Sequence, residues 1–219
     1  LCEVLSGNVN FACDYIEQRE IPATGEKPEA PTTSFKDVDE NTDHVEEIAW
    51  LEATEVSTGF EDGTFRPMSD VARADMAAFL YRVALLSGEP AYVPDDAIKA
   101  QFPDVDESTP HASEIWWLAS KGISTGFPDG TFRPYDAIAR CDMAAFWQRL
   151  GDHLGVADPA AGPSFSDVDE STSHGVSIAW LSGTGITTGF PDRTFRPYDT
   201  IKRCDMAALL YRFNAYAEA

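Results

Sequence analysis

Basic residues are scarce in this chain: 16 Lys+Arg stand against 37 Asp+Glu in 219 residues, a formal net charge of -21. No Lys/Arg-rich stretch occurs, so there is no basic face to take up phosphates with release of counterions. Nucleic acid and anionic membranes are therefore excluded as partners, and a cationic or neutral partner is favoured. Long apolar runs are missing too. Nothing approaches the roughly 18 uninterrupted apolar residues of a bilayer span, so no membrane insertion is expected. The first residues show neither the basic nor the apolar region of a signal peptide, and the chain is expected to be soluble and a mature or trimmed piece. Walker loops, nucleophile elbows and zinc-binding helices are absent as motifs, and no cofactor or metal is expected. What is present is 43% apolar and 11% aromatic residues, enough for packed cores and too much for wholesale disorder.

A fixed repeat organises the chain. Phe35, His44, Trp50, Gly59, Phe65 and Arg73 recur 67 residues later as Phe102, His111, Trp117, Gly126, Phe132 and Arg140. They recur again 63 residues later as Phe165, His174, Trp180, Gly189, Phe195 and Arg203. The register never slips within a unit, so the length variation falls between units. The stretches 83–101 and 151–164 carry Gly88, Pro90, Pro94 and then Gly155, Pro159, Gly162, Pro163, and read as linkers. The organisation is thus a 1–34 segment ending in a Pro- and Thr-containing linker, followed by units at 35–85, 102–151 and 165–216.

Each unit opens with an Asp-rich stretch, runs into a short first helix that ends near Gly122 or Gly185, then a turn-rich loop, then a second helix. In unit two Ile115, Leu118 and Ala119 form one apolar face of the first helix, and the loop reads Gly-Phe-Pro-Asp-Gly-Thr-Phe-Arg-Pro from Gly126. The second helices show stripes at i, i+3, i+4 and i+7: Met76, Phe79, Leu80, Val83; Met143, Phe146, Trp147, Leu150; Met206, Leu209, Leu210, Phe213. A unit of about 50 residues buries little apolar surface alone. The fold expected is therefore mainly α: three tandem helix-loop-helix units around a pseudo-threefold central bundle of the second helices, with the striped residues as core.

The order Phe-x-Asp-Val, a His opening the first helix, Gly-Phe-x-Asp-Gly-Thr-Phe-x-Pro and an Arg-x-Asp-Met-Ala-Ala helix resembles the S-layer homology (SLH) domain. The resemblance covers nearly all the chain beyond residue 34. It implies a noncatalytic, extracellular module that anchors a secreted protein to the bacterial cell wall. In the family, secondary wall polysaccharide carrying a pyruvylated amino sugar is bound in grooves between units of a three-pronged pseudo-trimer; peptidoglycan is the other wall partner to consider. The chain departs from the family's second-helix opening, Ile-Thr-Arg-Ala-Glu: the Thr is replaced by Ala72, Ala139 and Lys202. Losing that N-cap costs roughly 1 kcal/mol per helix. Asp75, Asp142 and Asp205 keep negative charge in the first turn, where the dipole favours it.

Arg73, Arg140 and Arg203 are the principal binding candidates. A cation in a helix's first turn opposes the macrodipole, yet it recurs in all three units, and guanidinium clamps a carboxylate bidentately. The resemblance implies the same role for the matching Arg; the alternative is a structural ion pair. Arg66, Arg133 and Arg196 either line the same groove or brace the loop. Trp50, Trp117 and Trp180 are expected in the core, whereas Trp116, unmatched in the other units, is expected to be an exposed surface aromatic for a sugar. The Asp-rich openings lack the ligand count and Gly of a calcium loop and read as caps, and His44, His111 and His174 read as helix-entry histidines. Arg193 replaces the loop Gly of the other units, at a cost of about 1 kcal/mol if the backbone angle there is positive. Cys2 and Cys13 could form a local disulfide; Cys141 and Cys204, at matching positions, are expected as small buried thiols. Two other functions compete: a peptidoglycan-directed enzyme or a fragment of one, and a self-assembling or host-interaction surface protein using the repeats as scaffold.

Overall fold

The structure, a computed structural model, describes residues 32–218. Cys2, Cys13 and most of the 1–34 segment lie outside the described residues. The elements are α1 (Val45–Ala53), α2 (Arg73–Leu86), α3 (Asp96–Lys99), α4 (Ala112–Ser120), α5 (Arg140–Leu154), α6 (Gly175–Gly183) and α7 (Arg203–Ala217). The protein is mainly α; among the described residues there is no extended strand, only isolated bridges.

Helix packing runs in a cycle rather than unit by unit. The first helix of each unit lies on the second helix of another: α1 on α7, α4 on α2, α6 on α5. The second helices also touch one another, α2 meeting both α5 and α7, while Trp147 and Phe213 join α5 to α7 with ring centroids 4.6 Å apart. At their far ends Leu86, Leu154, Ala217 and Glu218 surround a cavity of about 240 Å³. The i, i+3, i+4 stripes all enter one core shared by the three units, as the repeat argument requires.

The second helices start where the chain crosses between units. Short extended stretches meet in three antiparallel bridges, Asp70 with Lys202, Ala72 with Ala137 and Ala139 with Thr200. Here the structure changes the capping argument. Ala72, Ala139 and Lys202 provide no side-chain cap, but the orphan N–H groups are satisfied across units. Arg73 and Ala74 donate to Asp136 O and Pro134 O at 2.9 Å. Arg140 and Cys141 donate to Asp199 O and Pro197 O at 2.9 and 2.8 Å, and Arg203 and Cys204 to Ser69 O and Pro67 O at 3.0 Å. A neighbour's carbonyls thus replace the missing hydroxyl, which removes the local penalty and makes each helix start depend on another unit.

The Asp-rich openings act as backbone clamps. Asp37, Asp104 and Asp167 each accept two successive N–H groups through their two carboxylate oxygens, from Phe65 and Arg66, Phe132 and Arg133, and Phe195 and Arg196, at 2.7–2.9 Å. Asp39, Asp106 and Asp169 form turns that accept the N–H two residues on, at 2.8–2.9 Å. Gly126 illustrates the close fit of the loop to the opening. Its φ is +71°, and a Cβ there would lie 2.7 Å from Phe102 Cε1. Arg193 does take a positive φ, 63°, like Gly63 and Gly130. Arg193→Gly should therefore raise stability by about 0.5–1 kcal/mol in urea unfolding, the relief of left-handed strain being partly offset by a freer unfolded chain.

The first linker is more ordered than its Gly/Pro content suggests. It contains α3, whose N-cap Asp95 accepts the N–H of Ile98 at 2.9 Å, and it is tied down by Glu89. Trp117 Nε1, Lys121 Nζ and His153 Nε2 lie 3.2, 2.7 and 2.9 Å from the Glu89 carboxylate. Burial alone would raise the pKa of Glu89, but these three partners hold it down at about 2, against an ordinary 4.5. A depressed carboxylate contributes stability above its unfolded pKa and loses it as pH falls through the folded one. The stability difference between wild type and Glu89→Gln should thus be about 2 kcal/mol at pH 7 and shrink towards zero as pH falls from 4.5 to about 2. Urea titrations at each pH measure it.

Trp116 corrects an expectation. It is buried, with 3% exposure, rather than a surface aromatic. The linker before unit two folds α3 against α4, and Lys99 Nζ sits 5.5 Å from the Trp116 ring. The matching positions carry the small residues Ala49 and Ala179. Cys141 and Cys204 are buried free thiols, and burial pushes both up to about 11.

Candidate functional site: the grooves between units

Each second helix begins with an Arg whose side chain leaves its own unit. Arg73 reaches unit two, Arg140 unit three and Arg203 unit one, and Nε donates to Phe132 O, Phe195 O and Phe65 O at 2.8, 2.7 and 2.7 Å. All three are buried, and burial pulls their pKa down while nearby carboxylates oppose it; guanidinium stays charged regardless. This explains a cation in a helix's first turn. The charge is spent on a neighbouring carbonyl and on aromatic faces, not on its own dipole.

Two more groups recur beside each Arg. The first-turn Asp of the receiving unit's second helix faces it: Arg73 NH1 lies 3.3 Å from Asp142 and Arg203 NH1 2.9 Å from Asp75. The same Asp is approached by the helix-entry His of the remaining unit, with His174 Nε2 3.6 Å from Asp142, His111 Nε2 3.8 Å from Asp75 and His44 Nε2 3.8 Å from Asp205. The three His residues sit at N-cap positions with φ of 56–61°, a left-handed conformation uncommon outside Gly that His, like Asn and Asp, adopts more readily than other residues. Burial lowers the pKa of His174, and Asp142 partly restores it. Every groove therefore joins an Arg, an Asp and a His from three different units.

Arg66, Arg133 and Arg196 belong to the same grooves but point differently. Each pairs with an Asp four residues earlier in its own loop, Asp62, Asp129 or Asp192, at 2.8–3.0 Å. Each also lies over Phe60, Phe127 or Phe190 at 3.8–3.9 Å. Those same rings are met by Arg203, Arg73 and Arg140 at 4.6–4.9 Å. One Phe thus supports a buried and an exposed guanidinium in each groove, and the exposed Arg braces its loop at the groove's edge. The Thr64 hydroxyl and Arg66 hold Asp62 at about 2, and Thr194 and Arg196 do the same for Asp192.

A third set of arginines was not singled out from sequence. Arg82, Arg149 and Arg212 donate NH1 to Val56 O, Ile123 O and Ile186 O at 3.0–3.1 Å, anchoring the strand-like exit of each first helix. Arg212 lines a cavity of about 180 Å³ together with His44, Arg140, Phe190 and Asp205. The signal existed, since these arginines recur at the same 67- and 63-residue offsets, but they sit mid-helix beside the apolar stripe, where a charge conflicts with no local rule. The rim also carries exposed aromatics: Tyr135 and Tyr198 follow the loop proline, and the Tyr198 hydroxyl accepts the Ser173 N–H at 3.4 Å, next to His174.

The candidate site is thus a set of inter-unit grooves lined by guanidinium groups within a strongly acidic chain, chemistry that can pair with anionic groups. Three tandem helix-loop-helix units interlocked by such arginines define a repeat-built helical module. The SLH family model, "S-layer homology domain", matches residues 34–77, 101–144 and 164–207, and the chain belongs to that family. It is 30% identical over 165 residues to "Cell surface glycoprotein 1" of Acetivibrio thermocellus, covering 70% of this chain and 7% of that protein. It is 29% identical over 156 residues to the "Cellulosome-anchoring protein" of the same organism, covering 70% of this chain and 34% of that one. It is 33% identical over 117 residues to "S-layer protein EA1" of Bacillus anthracis, covering 53% and 13% respectively. The chain therefore spans only a minor part of each of these relatives. No described helix is long and apolar enough to cross a membrane.

Proposed function

We propose that this chain is a noncatalytic anchoring module that keeps the protein carrying it at the bacterial cell surface, by holding cell-wall polysaccharide in the grooves between its units. The observation that supports this best is the threefold recurrence of a buried Arg beside Asp and His from two other units. A guanidinium fixed by a backbone carbonyl keeps part of its fork for a ligand carboxylate, such as a pyruvyl ketal on an amino sugar, at little entropic cost. The S-layer and anchoring relatives support the cell-surface setting. Affinity would come from several grooves engaging successive repeats of one polymer.

The protein should sediment with purified wall sacculi and remain in solution once the secondary polysaccharide has been stripped from them. Equal sedimentation with stripped peptidoglycan would overturn the polysaccharide reading in favour of direct peptidoglycan binding.

A further inference from the structure

The three grooves differ in one respect that the repeat hides. Arg73 and Arg203 are each closed off by a carboxylate, Asp142 at 3.3 Å and Asp75 at 2.9 Å. They are also covered by a ring of the receiving helix, Phe146 or Phe79, at 5.4 Å. Arg140 has neither. No carboxylate among the described residues forms an ion pair with it, although Asp205 stands close enough to act on its charge. The position matching Phe79 and Phe146 is Leu209. The side chain of Asp205 is 46% exposed, against 25% and 27% for Asp75 and Asp142. Beside Arg140 opens the cavity of about 180 Å³, with His44, Asp205 and Arg212 on its walls.

We propose that the groove formed by Arg140, Arg212 and His44 is the chain's principal site for a carboxylate-bearing sugar, and that Leu209 is the residue that makes it so. The inference rests on the wall-polysaccharide reading and adds which groove works first. In the other two grooves an incoming anion must displace an Asp already paired with the Arg, and must do so beneath an aromatic ring. At Arg140 the guanidinium is held by Phe195 O at 2.7 Å and forms no ion pair among the described residues, with Asp205 acting on it only from further off. Arg212 is fixed through Ile186 O and supplies a second cation on the cavity wall. The cavity is smaller than the roughly 300 Å³ at which drug-sized pockets begin, which suits one substituted sugar residue rather than a chain segment. His44, when protonated, adds positive charge opposite Asp205; Glu47, 3.7 Å from its other nitrogen, faces it from its own helix.

The test uses the full chain and two probes, a pyruvylated N-acetylhexosamine glycoside and the isolated wall polysaccharide, titrated by calorimetry. Leu209→Phe copies the residue of the other two units, so it should fold, which its melting temperature verifies. It is expected to weaken glycoside binding about tenfold, whereas Phe79→Leu and Phe146→Leu change it less than about twofold. Arg140→Lys, which keeps the charge but loses the fork, should weaken it by a similar factor. Unchanged affinity in Leu209→Phe, or an equal loss in the Phe79 or Phe146 variants, overturns the proposal. So does binding of the polysaccharide without the glycoside, or a ligand found stacked on Tyr198 in the Arg73 groove. Each of these leaves the anchoring reading standing. Wild-type protein that binds neither probe overturns that reading itself.

Discussion

A chain ended near residue 157, which removes the third unit, is expected to lose cooperative folding altogether, although two complete repeats remain in its sequence. The reason is the cyclic packing. Without α7, the buried face of α1, Ile48, Trp50 and Leu51, loses the helix it covers, including the edge-on contact of Trp50 with Tyr211 at 5.4 Å. Trp147 loses Phe213, and the first N–H groups of α5 lose Asp199 O and Pro197 O. Exposing three to four large apolar side chains costs on the order of 6–10 kcal/mol at about 1.5–3 kcal/mol each. That equals the whole stability of an ordinary domain, about 5–15 kcal/mol. Circular dichroism during urea titration measures this directly. A sharp transition in the two-unit chain would show that the units are independent.

Arg203→Ala is expected to destabilise the intact protein by about 3 kcal/mol, a large effect for a side chain that ordinary pattern reading assigns to the surface. The substitution removes a charge-assisted bond to Phe65 O, an ion pair with Asp75 and the contacts with Phe60 and Phe65. The first is worth about 1.5–3 kcal/mol and the aromatic contact about 0.5–2 kcal/mol. Arg203→Lys should recover less than half, because an ammonium cannot reach carbonyl and carboxylate in one plane. Arg140→Ala should cost about 1 kcal/mol less than Arg203→Ala, since Arg140 lacks the ion pair. Equilibrium urea unfolding of the three proteins checks the order, and a loss below about 1 kcal/mol for Arg203→Ala would contradict the role of an inter-unit clamp.

These arginines show where sequence reasoning reached and where it stopped. Their recurrence at the start of each second helix marked them as special, because local electrostatics opposes that placement. Recurrence could not say what they touch, since every partner of Arg73 lies 54 or more residues away in the chain. The same limit applies to Asp75, Asp142 and Asp205, which read as dipole-matching charges: each turns out to face a His, and Asp75 and Asp142 an Arg as well. Trp116 failed for a related reason. It packs beside a linker helix with no equivalent elsewhere among the described residues, so the repeat carried no information about it.

The sequence by itself determined the three-unit repeat, the two helices and loop of each unit, the apolar stripes that became the core and the membership of the SLH family. These follow from periodicity and local turn chemistry, which act over a few residues. Only the tertiary structure decided that helix starts are capped by another unit, that each groove is assembled from three units, and that Arg140, unlike Arg73 and Arg203, forms no ion pair among the described residues. Those outcomes depend on contacts between residues more than 50 positions apart, such as Arg140 with Phe195 or Arg203 with Ser69. Leu209 stands where the other two units carry Phe79 and Phe146, a difference that leaves the pattern defining the fold intact.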